Sequence, residues 1–112
     1  YANFADWVGL GVDDDVSIIP ETFTLHQNYP NPFNPTTSIR YSIPEMAQVS
    51  LVIHNLIGQE VATLVNTNMG VGNHEVVWNG TDTYGKAVSS GVYFYTIKAG
   101  NFSNTKKMLF LK

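Results

Sequence analysis

The groups in this 112-residue chain that could do chemistry are three histidines (His26, His54 and His74), nine carboxylates and the pair Ser89-Ser90; there is no cysteine. The histidines share no metal-ligand spacing, neither i, i+2 nor i, i+4, and each reads as a side chain of a sheet. Asp13, Asp14 and Asp15 supply hard oxygen ligands, but no glycine or closing glutamate follows at the spacing of a calcium loop, so the run reads as solvated linker. Ser89 and Ser90 precede Gly91 without the G-x-S-x-G elbow of a nucleophile, and no histidine and carboxylate are tied to them by any signature. Glu21, Glu45, Glu60 and Glu75 are scattered over strand ends, with nothing to raise one pKa as a general acid requires. The expectation is a chain that is not an enzyme and holds no metal and no cofactor.

Stacking is the other chemistry on offer. Trp7, Tyr29, Trp78, Tyr84, Tyr93 and Tyr95 would make a flat platform for sugar rings if they shared a surface. Trp78, Tyr93 and Tyr95, however, fall in phase with core positions, which favours burial, while Tyr84 falls in a loop. A carbohydrate-binding or structural accessory module of a secreted polysaccharide-degrading enzyme is the alternative reading.

Composition bounds what these residues can belong to. Hydrophobic residues make up 44% of the chain and charged residues 13%, the balance of a packed domain rather than of a disordered segment. A chain this long buries roughly 60 to 70% of its unfolded surface, enough for a modest core and little for a deep cleft. The formal charge of -3 offers no positive field for a phosphate backbone, so nucleic acid is excluded as a partner. Without cysteine there is neither a disulfide framework nor a thiolate metal site. No apolar stretch approaches the ~20 residues of a membrane-spanning helix, so no direct span is expected. The chain opens on Tyr1 with no signal-peptide pattern, and it reads as a piece of a longer protein.

The elements that must position these groups are strands. Residues 1–20, with Tyr1, Phe4 and Trp7, then Gly9, Gly11 and the aspartate run, read as a linker or the end of an upstream domain. Residues 21–112 read as one domain of short segments rich in β-branched and aromatic residues, punctuated by Gly, Pro and Asn. The expected strands are Thr22 to His26, Thr36 to Ile43, Gln48 to Asn55, Glu60 to Val65, Asn73 to Trp78, Val92 to Ala99 and Phe102 to Leu111. This predicts an all-β fold, a seven-stranded immunoglobulin-like antiparallel β-sandwich. Val49, Leu51 and Ile53, then Val76 and Trp78, then Tyr93, Tyr95 and Ile97, should face the core. Asn79-Gly80 favours positive backbone angles, and Ala99-Gly100-Asn101 should close a hairpin between the last two strands.

Two stretches stand out. Tyr29-Pro30-Asn31-Pro32-Phe33-Asn34-Pro35 carries three prolines that fix backbone angles and remove amide donors, so it cannot be a central strand. A rigid crossover that plants Phe33 or Tyr29 on the sheet accounts for it. In the last strand Met108 and Phe110 share one face and Leu109 and Leu111 the other, so both faces are apolar. The second pair lies under a loop or is open to a partner, and unpaired edge hydrogen bonds would suit strand addition.

With these residues in view, the chain resembles the type A C-terminal sorting domain of the type IX secretion system, and is similar to the immunoglobulin-like domain of flagellar hook-capping proteins. The resemblance rests on the run from Leu25 to Pro35, on Ile39, Tyr41 and Pro44, on Val49 to Leu56, Gly58 and Val61, on Gly72, His74, Val76, Trp78, Gly80, Gly85 and Val88, on Ser90-Gly91-Val92-Tyr93, and on Lys106-Lys107-Met108. Asn79 departs from the family's usual aspartate before Gly80, and His54 from its common tyrosine. The resemblance implies a secretion and sorting signal at the end of a larger exported bacterial protein, secreted or at the cell surface by way of the periplasm. It implies recognition by an outer-membrane secretion translocon, cleavage by a sortase-like peptidase, and an upstream passenger domain in the same chain; composition points to the acidic linker before Pro20 as the place of the cut. Carried over residue by residue, the recognition signal maps to Lys107, Met108, Leu109, Phe110, Leu111 and Lys112. Pro30, Asn31, Pro32, Phe33, Asn34, Pro35, Gly58, Trp78, Gly80 and Gly91 are its motif and scaffold. Flagellar assembly is a further role that the second resemblance would imply.

Overall fold

The computed structural model describes residues 20–112. β1 (Thr24–Leu25), β2 (Thr37–Ile43) and β5 (Gly72–Trp78) form one sheet in the order β1-β2-β5; β3 (Ala47–His54), β4 (Glu60–Met69), β6 (Gly91–Ala99) and β7 (Phe102–Phe110) form the other in the order β4-β3-β6-β7. All pairings between named strands are antiparallel, and the fold is the expected seven-stranded immunoglobulin-like sandwich. The linker read over residues 1–20 lies outside the described residues apart from Pro20.

Period-2 alternation builds the core. β2 turns Ile39, Tyr41 and Ile43 inward, β3 turns Val49, Leu51 and Ile53, and β6 turns Tyr93, Tyr95, Ile97 and Ala99; all are buried. On β5 the same alternation buries Trp78, half-buries Val76 and leaves Val77 exposed. An aromatic cluster closes one end of the core. Phe33 stacks on Phe110 at 4.8 Å, and Trp78 meets Tyr93 edge-on at 5.4 Å while its indole N–H donates to the carbonyl of Thr81 at 2.8 Å.

Strand limits differ from expectation by more than one residue at two places. β1 keeps only two residues, because past Leu25 the chain leaves the sheet for the proline loop. β4 runs on from Val65 to Met69, since Asn66, Thr67 and Asn68 pair through their backbones with Ser50, Val49 and Gln48. Asparagine has little intrinsic strand preference, but on a solvated edge the ladder asks nothing of the side chain.

The hairpin of Ala99 with Phe102 turns on Gly100, and Gly80 takes φ +74° at the start of the connection to β6. Gly80 is required twice over: a Cβ there would sit 2.7 Å from Cζ of the buried Phe110 ring. Gly80→Ala is therefore expected to cost about 1 to 3 kcal/mol through overpacking and left-handed strain together, read from the urea midpoint.

Candidate functional site

The six residues of the C-terminal segment divide by face. Met108 and Phe110 are 1% and 3% exposed and belong to the core, where Phe110 lies on Phe33 and Trp78. Lys107 and Lys112 are exposed, Leu109 is half-buried and Leu111 is 47% exposed. The segment is thus anchored by alternate side chains and presents the others outward.

Its backbone is not free. In β7 the odd-numbered residues direct their N–H and C=O groups away from β6, toward the rim. There the proline loop meets them. Leu109 N–H donates to Asn31 Oδ1 at 3.0 Å, Phe33 N–H donates to the Leu109 carbonyl at 3.0 Å, and Leu111 N–H donates to the Phe33 carbonyl at 3.0 Å. Gln27 Nε2 donates to the Lys107 carbonyl at 2.8 Å, and Lys112 N–H donates to Ser90 Oγ at 3.0 Å. Phe33 and Phe110 form a parallel bridge. The expectation that the end of the last strand offers unpaired hydrogen bonds for strand addition is therefore corrected: the chain's own loop fills those positions. Along the start of the rim, Ser103, Thr105 and the Lys107 N–H have no partner among the described residues.

The loop is held in turn by a buried polar latch that spacing alone did not reveal. Tyr95, with no exposed surface, donates its hydroxyl to the His26 carbonyl at 2.8 Å and accepts from Asn28 N–H at 2.7 Å. Asn28, itself buried, donates through Nδ2 to Thr37 Oγ1 at 2.9 Å and to the Pro30 carbonyl at 3.1 Å. The Thr37 hydroxyl donates to the same carbonyl at 2.9 Å. Tyr95 thereby ties β6 to the loop leaving β1 in the opposite sheet. Burial pushes its pKa up to about 12, against a weaker downward pull from the Asn28 bond. In the sequence the only hint was a polar pair, Asn28 and Thr37, bracketing the proline run.

The other scaffold residues fall where turns need them. Pro30, Asn31, Pro32, Asn34 and Pro35 are exposed along the loop and Phe33 alone is sunk into the core. Gly58 takes φ +86° in the β3–β4 turn and Gly91 opens β6. Tyr29, the alternative anchor, is 78% exposed.

No catalytic constellation assembles from the described histidines and carboxylates. His26 follows β1, His54 ends β3, and His74 on β5 stacks against Tyr41 with its Nε2 at 2.7 Å from the Gly70 carbonyl. Among the described residues no group of three or more His, Asp or Glu could hold a metal ion, and no helix is long and apolar enough to cross a membrane. A groove of about 760 Å³ lies on the outer face of the three-stranded sheet. Two pairs of its polar groups meet each other: Arg40 Nε is 3.9 Å from the Glu75 carboxylate, and Ser42 donates to Asn73 Oδ1 at 2.5 Å. Among the described residues the sugar-stacking platform does not form. Trp78, Tyr93 and Tyr95 are buried, Tyr29 and Tyr84 line separate grooves, and Trp7 lies outside the described residues.

The two outer faces of the sandwich differ. That of the three-stranded sheet carries Ser38, Arg40, Ser42, Asn73 and Glu75, with Val77 as its apolar exception. That of the four-stranded sheet carries Val52, Val92, Phe94 and Leu109, all half-buried, and none of them belongs to the core or its packed margin.

Comparison with known proteins places this geometry. No match was found among curated proteins. Among solved structures the chain is similar to dimeric latent PorU from Porphyromonas gingivalis, at 20% identity and a TM-score of 0.62, over 91% of this chain and 10% of that one. It is also similar to PorZ, described as an essential surface component of the type IX secretion system of the same organism, at 21% identity and a TM-score of 0.52, over 80% of this chain and 11% of that one. At these identities the likeness is one of fold, and the chain spans only a small part of either protein. The FlgD Ig-like domain model matches residues 33–103, from the buried Phe33 of the loop to Ser103 on β7, so this chain belongs to the FlgD Ig-like domain family.

Proposed function

We propose that this domain is the C-terminal secretion and sorting module of a larger exported bacterial protein, that it is not an enzyme, and that an outer-membrane type IX translocon reads it. The observation that carries the reading is the division of the C-terminal segment into a buried half, Met108 and Phe110, and a displayed half, Lys107, Leu109, Leu111 and Lys112. A strand that only completed a core would have no need of apolar side chains on its solvent face. The likeness of fold to PorU and PorZ supports the same assignment. In this reading the passenger lies upstream, a sortase-like peptidase cuts within residues 1–20, and the product is secreted or held at the cell surface after crossing the periplasm.

The test fuses residues 1–112 to an inert periplasmic passenger in a host that has this secretion system. Truncation after Lys106 is a poor probe, because it removes Met108 and Phe110 from the core. The better variant keeps both and changes only the displayed side chains: Lys107→Ala, Leu109→Thr, Leu111→Thr and Lys112→Ala together. Surface passenger is expected to fall at least ~10-fold, which corresponds to about 1.4 kcal/mol of lost recognition, while the melting temperature stays within a few degrees. Equal surface delivery by variant and parent would remove the terminal segment from the signal.

A further inference from the structure

One end of the outer face of the four-stranded sheet departs from the polar pattern that an antiparallel sheet with one solvated side should show. Register places Val92 opposite Leu109, Phe94 between His54 and Lys107, and Val52 opposite Thr96. These side chains share one face and one end of the sheet. Beyond them the apolar strip continues into a shallow groove of about 260 Å³, where Val92 meets Leu56 and Ile57 at the β3–β4 turn. Leu56 and Ile57 are 68% and 78% exposed. The opposite outer face, built by the same chain under the same constraints, is mostly polar.

Charge is segregated along the chain. All nine carboxylates precede Thr83, whereas five of the six cations, Lys86, Lys98, Lys106, Lys107 and Lys112, follow it. Lys98 and Lys107 stand on the outer face itself, at its β6 and β7 positions, while Lys112 turns its ammonium over the Phe110 ring at 6.0 Å. Among the described strand residues of this face the only carboxylate is Glu60, which pairs with His54 from β4 and accepts from the Thr63 hydroxyl at 2.9 Å. Cationic rims around apolar centres select partners by charge complementarity and suppress like-charged ones. A second copy of the chain would bring lysine rim against lysine rim. The closed backbone of β7 beyond Lys107 further means that contact here is made by side chains and not by strand addition.

We propose that this face, centred on Phe94, Val92 and Leu109 and flanked by Lys98 and Lys107, is the docking surface of the folded domain, and that its occupant is a protein partner presenting an apolar ridge flanked by carboxylates. The proposal rests on the sorting reading and extends it from the terminal strand to β6 and β3.

The test uses the passenger fused to residues 1–112, with substitutions that leave residues 107–112 intact. Val92→Thr with Phe94→Thr, and separately Lys98→Glu, are expected to lower surface delivery at least ~10-fold and ~3-fold, with the melting temperature of each held within a few degrees. Ser103→Pro blocks strand addition at the one stretch of rim still open without removing a bond to β6, and is expected to deliver as the parent does. A loss with Ser103→Pro and none with the face variants would overturn the proposal in favour of strand addition. Delivery of the passenger without any domain would instead overturn the sorting reading itself.

A photo-reactive phenylalanine analogue at position 94 identifies the occupant. A crosslink to a separate polypeptide that weakens with Lys98→Glu supports the proposal. A product of twice the fusion's mass, or an internal crosslink to residues 1–19, overturns it.

Discussion

Trp78→Ala lowers the stability of the domain by about 3 to 5 kcal/mol, out of the ~5 to 15 kcal/mol that holds a fold of this size together. The indole is 2% exposed and touches Tyr93, Phe33 and Phe110, so its removal leaves a void that none of the three can fill without leaving its own contacts. It also leaves the Thr81 carbonyl without its donor at the start of the β5–β6 connection. The consequence reaches the candidate site. Phe110 is both the neighbour of Trp78 and the anchor between Leu109 and Leu111, so the variant loosens the displayed half of the strand along with the core. Urea unfolding followed by far-ultraviolet circular dichroism measures the loss, and an unchanged midpoint would mean that the strand phase around Trp78 is wrong.

Tyr95→Phe is expected to cost about 2 to 6 kcal/mol, because one hydroxyl satisfies two buried backbone groups, the Asn28 N–H and the His26 carbonyl, and phenylalanine satisfies neither. The volume scarcely changes, so the loss belongs to the hydrogen bonds and not to packing. The same hydroxyl makes the latch sensitive to alkali. Its folded pKa is raised to about 12 from an ordinary 10.0, so folding favours the neutral phenol. That contribution is fully present below pH 10 and is lost as pH rises through 12. Comparison of the denaturant midpoints of parent and Tyr95→Phe between pH 9 and pH 12 should show the two converging as the parent loses its latch. A constant gap across that range would remove Tyr95 from the account.

Much of the fold was legible because alternation is a local property. Val49, Leu51 and Ile53, and Tyr93, Tyr95 and Ile97, declare their inward face whatever lies opposite them, and Gly100 declares its turn. The loop was half legible. Three prolines exclude a central strand and offer Phe33 or Tyr29 as an anchor, yet nothing local to residues 29–35 chooses between them or says that the loop's partner is Leu109, 78 residues from Asn31. The latch was hidden for the same reason: Tyr95 looks like any inward aromatic until the opposite sheet sets Asn28 N–H against its hydroxyl. The sugar platform failed on the converse point, since aromatic count says nothing about which rings share a surface.

By itself, then, the amino-acid sequence determined the strands, their inward faces and the division of the last strand into alternate halves, because side-chain direction in a strand follows from residue parity alone. Only the tertiary structure decided that Met108 and Phe110 anchor while Leu109 and Leu111 are displayed, and that the backbone between them is closed by the proline loop. Only register across three strands could gather Val52, Val92, Phe94 and Leu109 into one patch. Parity sets which way a side chain points; hydrogen-bonded pairing between distant segments sets what it points at.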